Sequence, residues 1–262
     1  MKVSVITASF NSAATLSGTM ETVLMQTYPD IEYIVIDGAS TDGTVDIIKQ
    51  YEPRFKGRLR WISEKDSGIY DAMNKGLAMA TGDIVGVLNS DDLYYDERVV
   101  ADIVETFEKN DVESIYGDLV FVEANNTNHI VRTWKGSQHT PGAFLRGWHP
   151  AHPTFYARRS CYERFGNFDT SLAISSDFDL MLRFIEKHHI SNLYIPRNII
   201  WMRAGGESNG SLRRILRGNR NILRSFRKNG FNVSWFYLLR RWTPKAWNIL
   251  KTKAKGSASK PE

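Results

Sequence analysis

The chain has 262 residues, 42% hydrophobic and 24% charged, values of a folded protein with a core of normal size and room for one large α/β domain with an appendage. A single cysteine, Cys161, excludes an internal disulfide, and no apolar run approaches the ~20 residues that span a bilayer. The net charge of +5 is uneven: residues 211–262 carry 14 Lys/Arg and one acid, a net of +13 against −8 for residues 1–210, which points to an anionic partner surface.

In chain order, Val3–Thr7 reads as an apolar strand rather than a signal peptide, so a cytoplasmic location is expected. A helix over residues 13–25 stops at Tyr28-Pro29-Asp30. Ile31–Ile36 is a second strand, and after the loop 38–43 Thr44 is expected to cap a helix through Tyr51. Leu59–Ile62 is a third strand. Ile69–Ala80 is helical, with Gly82 as its expected C-cap, and Ile84–Leu88 is a fourth strand running into Asn89-Ser90-Asp91-Asp92. This alternation predicts a parallel α/β sheet. Ile115–Val122 and His129–Trp134 read as strands, residues 139–156 as a loop rich in aromatics, and Asp177–His188 as one helix with Leu180, Met181, Phe184, Ile185 and His188 on its apolar face. Cys161 reads as a buried thiol, and residues 255–262 as a disordered tail.

Open α/β sheets bind ligands at the carboxyl ends of their strands. Four polar clusters fall there: Thr7–Asn11, Asp37–Asp42, Lys65–Gly68 and Asn89–Asp92. Asp91 and Asp92 suit a Mg²⁺ or Mn²⁺ ion that completes its shell with water and phosphate, although two aspartates in a helix-capping turn would look the same. Asp37 could bind a base or ribose, or could serve its own turn. The loop after the first strand, Ala8-Ser9-Phe10-Asn11-Ser12-Ala13, has no glycine, which disfavours a dinucleotide fingerprint. Asp177 opens a helix and could act as a general base or simply as a helix-start acid. His149 and His152 flank Pro150-Ala151; a zinc site is disfavoured, and an active-site wall with one imidazole near sugar or metal is preferred.

The ordered segments VSVITASFN (3–11), QTYPDIE (26–32), IVIDGASTDGT (34–44), DSGIYDAMNKG (66–76), TGDIVGVLNSDDL (81–93), HPTF (152–155) and SDFDLMLR (176–183) resemble the family 2 glycosyltransferases of capsule, O-antigen and exopolysaccharide assembly. The resemblance implies an α/β fold of GT-A (Rossmann-like) type, a mixed sheet with flanking helices, over residues 1–210. It places Thr7, Ser9, Asn11, Asp37, Asp66, Lys75 and Arg203 at the nucleotide, with Arg203 in a glycine-containing loop through Ser208. It gives Asp91 and Asp92 to a divalent metal, Asp177 to base catalysis, and His152 to the sugar or acceptor. Many relatives carry Asp where this chain has Asn89, and Glu where it has Ser176. The Gln-x-x-Arg-Trp signature of processive synthases is absent, so addition of one sugar is expected, and the resemblance with its single base Asp177 implies inversion at the anomeric carbon.

From Leu212 onward, helical spacing combines apolar residues with Arg213, Arg214, Arg217, Arg220, Arg224 and Arg227, and a second segment mixes Trp235, Phe236, Tyr237, Trp242 and Trp247 with Arg240, Arg241, Lys245 and Lys251. These basic amphipathic helices, over residues 211–255, suit an anionic membrane surface and a lipid-linked saccharide acceptor; packing on the catalytic domain is the alternative, and nucleic acid is not the expected partner. Two other functions fit less well: a nucleotidyltransferase, which wants a glycine-rich basic loop after the first strand, and a non-catalytic nucleotide-sugar-binding scaffold.

Overall fold

The computed structural model describes residues 1–124, 126–204 and 212–238. Its first half is the expected alternation: β1 (Val3–Ser9), α1 (Leu16–Leu24), β2 (Ile31–Asp37), α2 (Thr44–Tyr51), β3 (Leu59–Ser63), α3 (Ile69–Met79) and β4 (Ile84–Val87). The four strands lie parallel in the order β3-β2-β1-β4. Both faces are covered, as the unbroken apolar runs require. Val3, Val5, Tyr33 and Val35 face α1, α2 and α4 (Val99–Lys109), while Ile6, Ala8, Ile34 and Ile36 face α3 and the later helices.

Beyond β4 the sheet becomes mixed. The two-residue β5 (Leu93–Tyr94) precedes α4, followed by β6 (Ser114–Glu123), β7 (Asn126–Trp134), β8 (Tyr156–Arg158), α5 (Arg159–Phe165), α6 (Ser176–Met181), β9 (Asn192–Arg203) and α7 (Leu212–Lys228). β8 runs antiparallel between β4 and β6, and β9 runs parallel to β6 and antiparallel to β5. Gly86 makes the β4–β8 join possible: a Cβ there would penetrate the Tyr156 ring, whose hydroxyl meets that of Tyr94 at 2.8 Å.

Several local expectations are corrected. Gly43, at φ 95°, takes the N-cap of α2 in place of Thr44, whose hydroxyl donates to Asp42. Ala80 ends α3; Gly82 instead lets the chain approach Lys2 and Ser4, where a Cβ would stand 2.8 Å from the Lys2 carbonyl oxygen. The helix expected over residues 177–188 is α only to Met181 and continues as a π turn over Leu182–Lys187. The wider turn rotates the register, so Glu186 is buried and His188 is exposed. β9 went unrecognised because Pro196 and polar residues interrupt its pattern, and β6 accommodates it through a register shift near Asp118.

α7 packs on the domain. Ile222 and Phe226 are buried in the same core as β1, α3 and α6, with Leu223 against them, while Leu216, Arg217, Arg220, Arg224 and Arg227 are exposed. The helix ends in a Schellman motif: Phe231 N–H donates to Phe226 O (2.8 Å), and Gly230 N–H donates to Arg227 O (3.1 Å). The side chains of residues 212–215, the second basic segment beyond Leu238 and the expected tail lie outside the described residues. No described helix is long and apolar enough to cross a membrane.

Candidate active site

The carboxyl ends of β1 to β4 gather the expected polar clusters, and hydrogen bonds join their loops. Asn11, at φ 48°, donates its N–H to Ser40 Oγ (2.8 Å), and its Oδ1 accepts from Thr41 N–H (3.0 Å). Ala13 N–H donates to Asp42 Oδ2 (3.0 Å), and Ser12 Oγ lies 2.9 Å from Ser90 Oγ. The loops after β1, β2 and β4 are thereby fixed together.

Two residues expected to line this pocket have their side chains inside the sheet. Thr7 is fully buried; its hydroxyl donates to Leu88 O (2.7 Å) and accepts from Tyr33 (3.0 Å). Asp37 is also fully buried and accepts from Ser40 N–H (2.9 Å), Ser40 Oγ and Ser63 Oγ (2.6 Å). Its carboxylate therefore shapes the loop rather than standing in the cleft. Ser9, at the last position of β1, has a buried Oγ with no partner among the described residues.

Phe10 and Asp66 close in on Gly38, which is buried at the end of β2. Asp66 Oδ2 would be 2.7 Å from a Cβ built there, and Phe10 Cδ2 would be 3.2 Å away; Phe10 itself is 64% exposed. Asp66 Oδ1 accepts from Gly68 N–H (3.0 Å). Lys75 steadies this loop from α3 by donating to Lys65 O (3.0 Å) and pairing with Glu64 (2.8 Å). The hydrogen bond to Glu64 holds its ammonium above the ordinary lysine range.

At the end of β4, Asp91 is half-buried and Asp92 fully buried. Asn89 Nδ2 donates to Asp92 Oδ2 (2.7 Å), while Asp92 Oδ1 is buried with no partner among the described residues. Burial raises the Asp91 carboxyl; burial and then the neighbouring Asp91 charge push Asp92 well above the usual carboxylate range. Arg203, reaching from the end of β9, donates to Asp91 O (3.1 Å) and Ala124 O (2.9 Å), and its charge partly opposes both shifts. No group of three or more His, Cys, Asp or Glu suited to a metal occurs among the described residues. The rest of the expected glycine-containing loop, residues 205–208, lies outside them.

Asp177 stands half-buried at the start of α6, and Tyr70 donates its hydroxyl to Asp177 Oδ1 (3.0 Å). Burial and the Asp177 charge raise the Tyr70 phenol far above its ordinary value, so it remains a donor. Phe168 stacks on Tyr70 with ring centroids 5.7 Å apart, and His152 meets Phe168 edge-on at 5.7 Å. Burial lowers the His152 imidazole and the Asp177 charge opposes this, leaving a neutral ring at pH 7. His152 opens the short 3-10 turn His152–Thr154 that leads into β8. Two contributors from α3 were missed in the sequence. Tyr70 holds Asp177, and Asn74 exchanges hydrogen bonds with the Phe168 backbone at 2.9 and 3.0 Å. Their i, i+4 spacing was the available signal.

Residues 4–174 match the family model described as Glycosyl transferase family 2. The chain belongs to glycosyl transferase family 2. An uncharacterized glycosyltransferase of Mycobacterium tuberculosis is 34% identical over 190 residues, 69% of this chain and 68% of the relative. A Mycobacterium bovis PGL/p-HBAD biosynthesis glycosyltransferase is 28% identical over 181 residues, with the same coverage. An uncharacterized glycosyltransferase of Nostoc is 35% identical over 126 residues, which are 48% of this chain but only 39% of that protein. Among solved structures, S. aureus TarS 1–349 in complex with UDP-GlcNAc aligns with a TM-score of 0.68 at 16% identity, covering 93% of this chain and 73% of that one. The mannosyltransferase PcManGT from Pyrobaculum calidifontis, in complex with GDP-Man and Mn²⁺, aligns with a TM-score of 0.67 at 20% identity, covering 100% and 76%. The fold is therefore the GT-A arrangement, a mixed sheet with flanking helices.

Proposed function

We propose that this chain transfers one sugar from a nucleotide-sugar donor to a hydroxyl of a saccharide acceptor, with inversion at the anomeric carbon. The observation that carries this reading is Asp177: an accessible carboxylate, held by the buried Tyr70 hydroxyl and neighboured by neutral His152. In an inverting transfer, the acceptor oxygen attacks the anomeric carbon on the face opposite the leaving nucleoside diphosphate. One carboxylate suffices to take the acceptor proton, and Asp177 has that role here. Tyr70 fixes the oxygen that is not taking the proton. Phe10, Gly38 and Asp66 meet where the nucleotide would lie, with Ser9 and Asn11 beside them and Lys75 securing the Asp66 loop. His152 lies on the sugar side, where it can bind donor or acceptor hydroxyls.

The residues present fit a divalent ion. Asp92 has a buried oxygen without a partner, and the Asp91–Asp92 pair is pushed toward protonation as acids without a cation are. Asp91, the more accessible of the two, and Asp92 would hold Mn²⁺ or Mg²⁺, with diphosphate and water completing the shell. When bound, the ion supplies neutralisation of charge on the departing diphosphate. Arg203 holds the loop that carries both acids.

A lipid-linked acceptor of surface polysaccharide assembly, met at the cytoplasmic face of a membrane, fits the exposed arginines of α7. Beside them Leu216, Trp235 and Phe236 are exposed, with the last two rings stacked at 4.1 Å. Sedimentation with anionic vesicles should carry the protein down, and no lipid-dependent binding would remove the membrane from the proposal.

The transfer itself is tested with a panel of nucleotide sugars and Mn²⁺. Release of a nucleoside diphosphate is expected; release of pyrophosphate would mean nucleotidyl transfer, and binding without turnover would mean a scaffold. Asp177→Asn should lose turnover by roughly a thousandfold, within the usual range for a general base, and keep nucleotide binding. Near wild-type turnover in that variant rejects Asp177 as the base.

A further inference from the structure

α6 is only six residues long, and its geometry is not self-sustaining. Its N-cap, Ser175, sits at φ 70° without a side-chain cap, and Ser176 Oγ is buried with no partner among the described residues. A non-glycine residue in that conformation persists only when its surroundings over-determine it. The surroundings are largely α7. Asn221 Nδ2 donates to Ile174 O (2.8 Å), just before the strained residue. Asn229, 7% exposed at the end of α7, donates through Nδ2 to Asp179 Oδ1 (3.0 Å) and to Ser225 O (2.9 Å). Lys228 Nζ pairs with Asp169 (2.7 Å) in the loop leading to α6, and the Phe226 ring meets Phe178 at 5.4 Å. Gly218 lies against the same segment, where a Cβ would be in ordinary contact, 3.5 Å from Ile174 Cγ2 and 3.6 Å from Ser175 Oγ.

These contacts bracket Asp177, with Asn221 gripping the chain three residues before it and Asn229 gripping the side chain two residues after. The front of the base is held by Tyr70 of α3, and the rear of its helix by α7. The family match ends at residue 174, so α7 lies beyond the part of the chain recognised as common to the family.

We propose that α7 is a positioning element for the catalytic base: Asn221 and Asn229 hold α6 in the register that presents the Asp177 carboxylate to the cleft. The proposal rests on Asp177 being the base. It gives the basic C-terminal helix a catalytic task in addition to any surface it offers on its arginine face. Asn229 acts by donating its N–H to a buried carboxylate, so volume alone does not replace it.

The test uses the full-length chain, the nucleotide sugar it turns over best, and the variants Asn229→Ala, Asn229→Asp and Asn221→Ala. Asn229→Asp keeps the shape, removes the donor and sets a carboxylate against Asp179. Two quantities are read: kcat against donor KM for nucleoside diphosphate release, and amide hydrogen exchange of the peptide spanning residues 176–185. For both Asn229 variants kcat should fall roughly tenfold or more, about the worth of one charge-assisted hydrogen bond, with donor KM within about twofold. Exchange in residues 176–185 should quicken while that of α3 and β4 stays as in the wild type. Asn221→Ala, whose freed Ile174 carbonyl sits in a half-buried position, should show the same pattern more weakly, and it decides the matter if the Asn229 variants do not fold. Wild-type kcat and wild-type exchange across residues 176–185 would overturn the proposal, as would full activity in Asn229→Asp. Failure of the base assignment is separate: it shows as retained turnover in Asp177→Asn, or as no turnover by the wild type, and then exchange across residues 176–185 alone decides whether α7 holds α6.

Discussion

Gly38→Ala tests the placement of the nucleotide beside Asp66. Gly38 follows β2, its N–H donates to Ser9 O (2.8 Å), and its φ lies outside the left-handed region, so the backbone itself accepts alanine. The added methyl would stand 2.7 Å from Asp66 Oδ2, 3.4 Å from Asp66 Cγ and 3.2 Å from Phe10 Cδ2. The Asp66 carboxylate must swing aside and give up its bond from Gly68 N–H, a charge-assisted hydrogen bond worth about 1.5–3 kcal/mol when fully sheltered. Asp66 is half-buried, so water replaces much of that bond in the free protein; the nucleotide loses its own contact with the displaced carboxylate, about 1–2 kcal/mol, or roughly a 5- to 30-fold rise in the Kd of a nucleoside diphosphate. Titration calorimetry with UDP and GDP in the presence of Mn²⁺ reads the effect. Gly68 is exposed and water takes up its freed N–H, so thermal stability should change by less than the affinity. An unchanged Kd, within twofold, would refute the placement of the nucleotide over Gly38. So would a loss of stability as large as the loss of affinity, since the methyl would then be disturbing the core.

Glu32 provides a pH test of the fold that carries the site. Its buried carboxylate accepts from Ser4 Oγ, Thr81 N–H, Thr81 Oγ1 and Gly82 N–H and pairs with Lys2. Burial alone would raise its pKa, but these donors outweigh burial and lower it from 4.5 to about 2. The folded value lies below the unfolded one, so the stabilisation is full above pH 4.5 and is lost as pH falls toward 2. The shift corresponds to about 3 kcal/mol unscreened, and nearer 2 kcal/mol once the solvent-facing Lys2 is discounted. In urea unfolding, the stability gap between wild type and Glu32→Gln should narrow by about 1–2 kcal/mol between pH 7 and pH 3; a constant gap counts against this account. At the acid pair, burial of Asp91 and Asp92 means that Mn²⁺ binding with nucleotide should release protons and weaken as pH falls. Calorimetry in buffers of different ionisation enthalpy reads this, and identical heats would argue that neither acid meets the ion. Asp91→Asn should weaken the metal-dependent part of nucleotide binding by at least about tenfold.

The sequence by itself determined the first four strands, the helices between them and the position of the polar clusters, because these are local. Apolar runs of five to seven residues ended by Asp, Asn and Ser have few other ways to fold, and parallel strands bring their carboxyl ends to one edge whatever packs on them. It also offered Asp91 and Asp92 as candidate metal ligands and Asp177 as candidate base. The tertiary structure decided which polar atoms remain available. Thr7 and Asp37 look like pocket residues from their place in the chain, yet both are engaged by partners on neighbouring strands: Leu88 and Tyr33 for one, Ser63 for the other. Tyr70 looks like a helix residue and donates to Asp177, because the start of α6, a hundred residues later, packs against α3. The same holds for α7. Its hydrophobic spacing is equally compatible with lipid or protein, and only the presence of Phe178 and Asp179 on α6, with Ile174 just before it, shows that Ile222, Phe226 and Asn229 face inward. Periodicity records that a face must be covered; what covers it is set by contacts between segments far apart in the chain, where no local pattern carries the information.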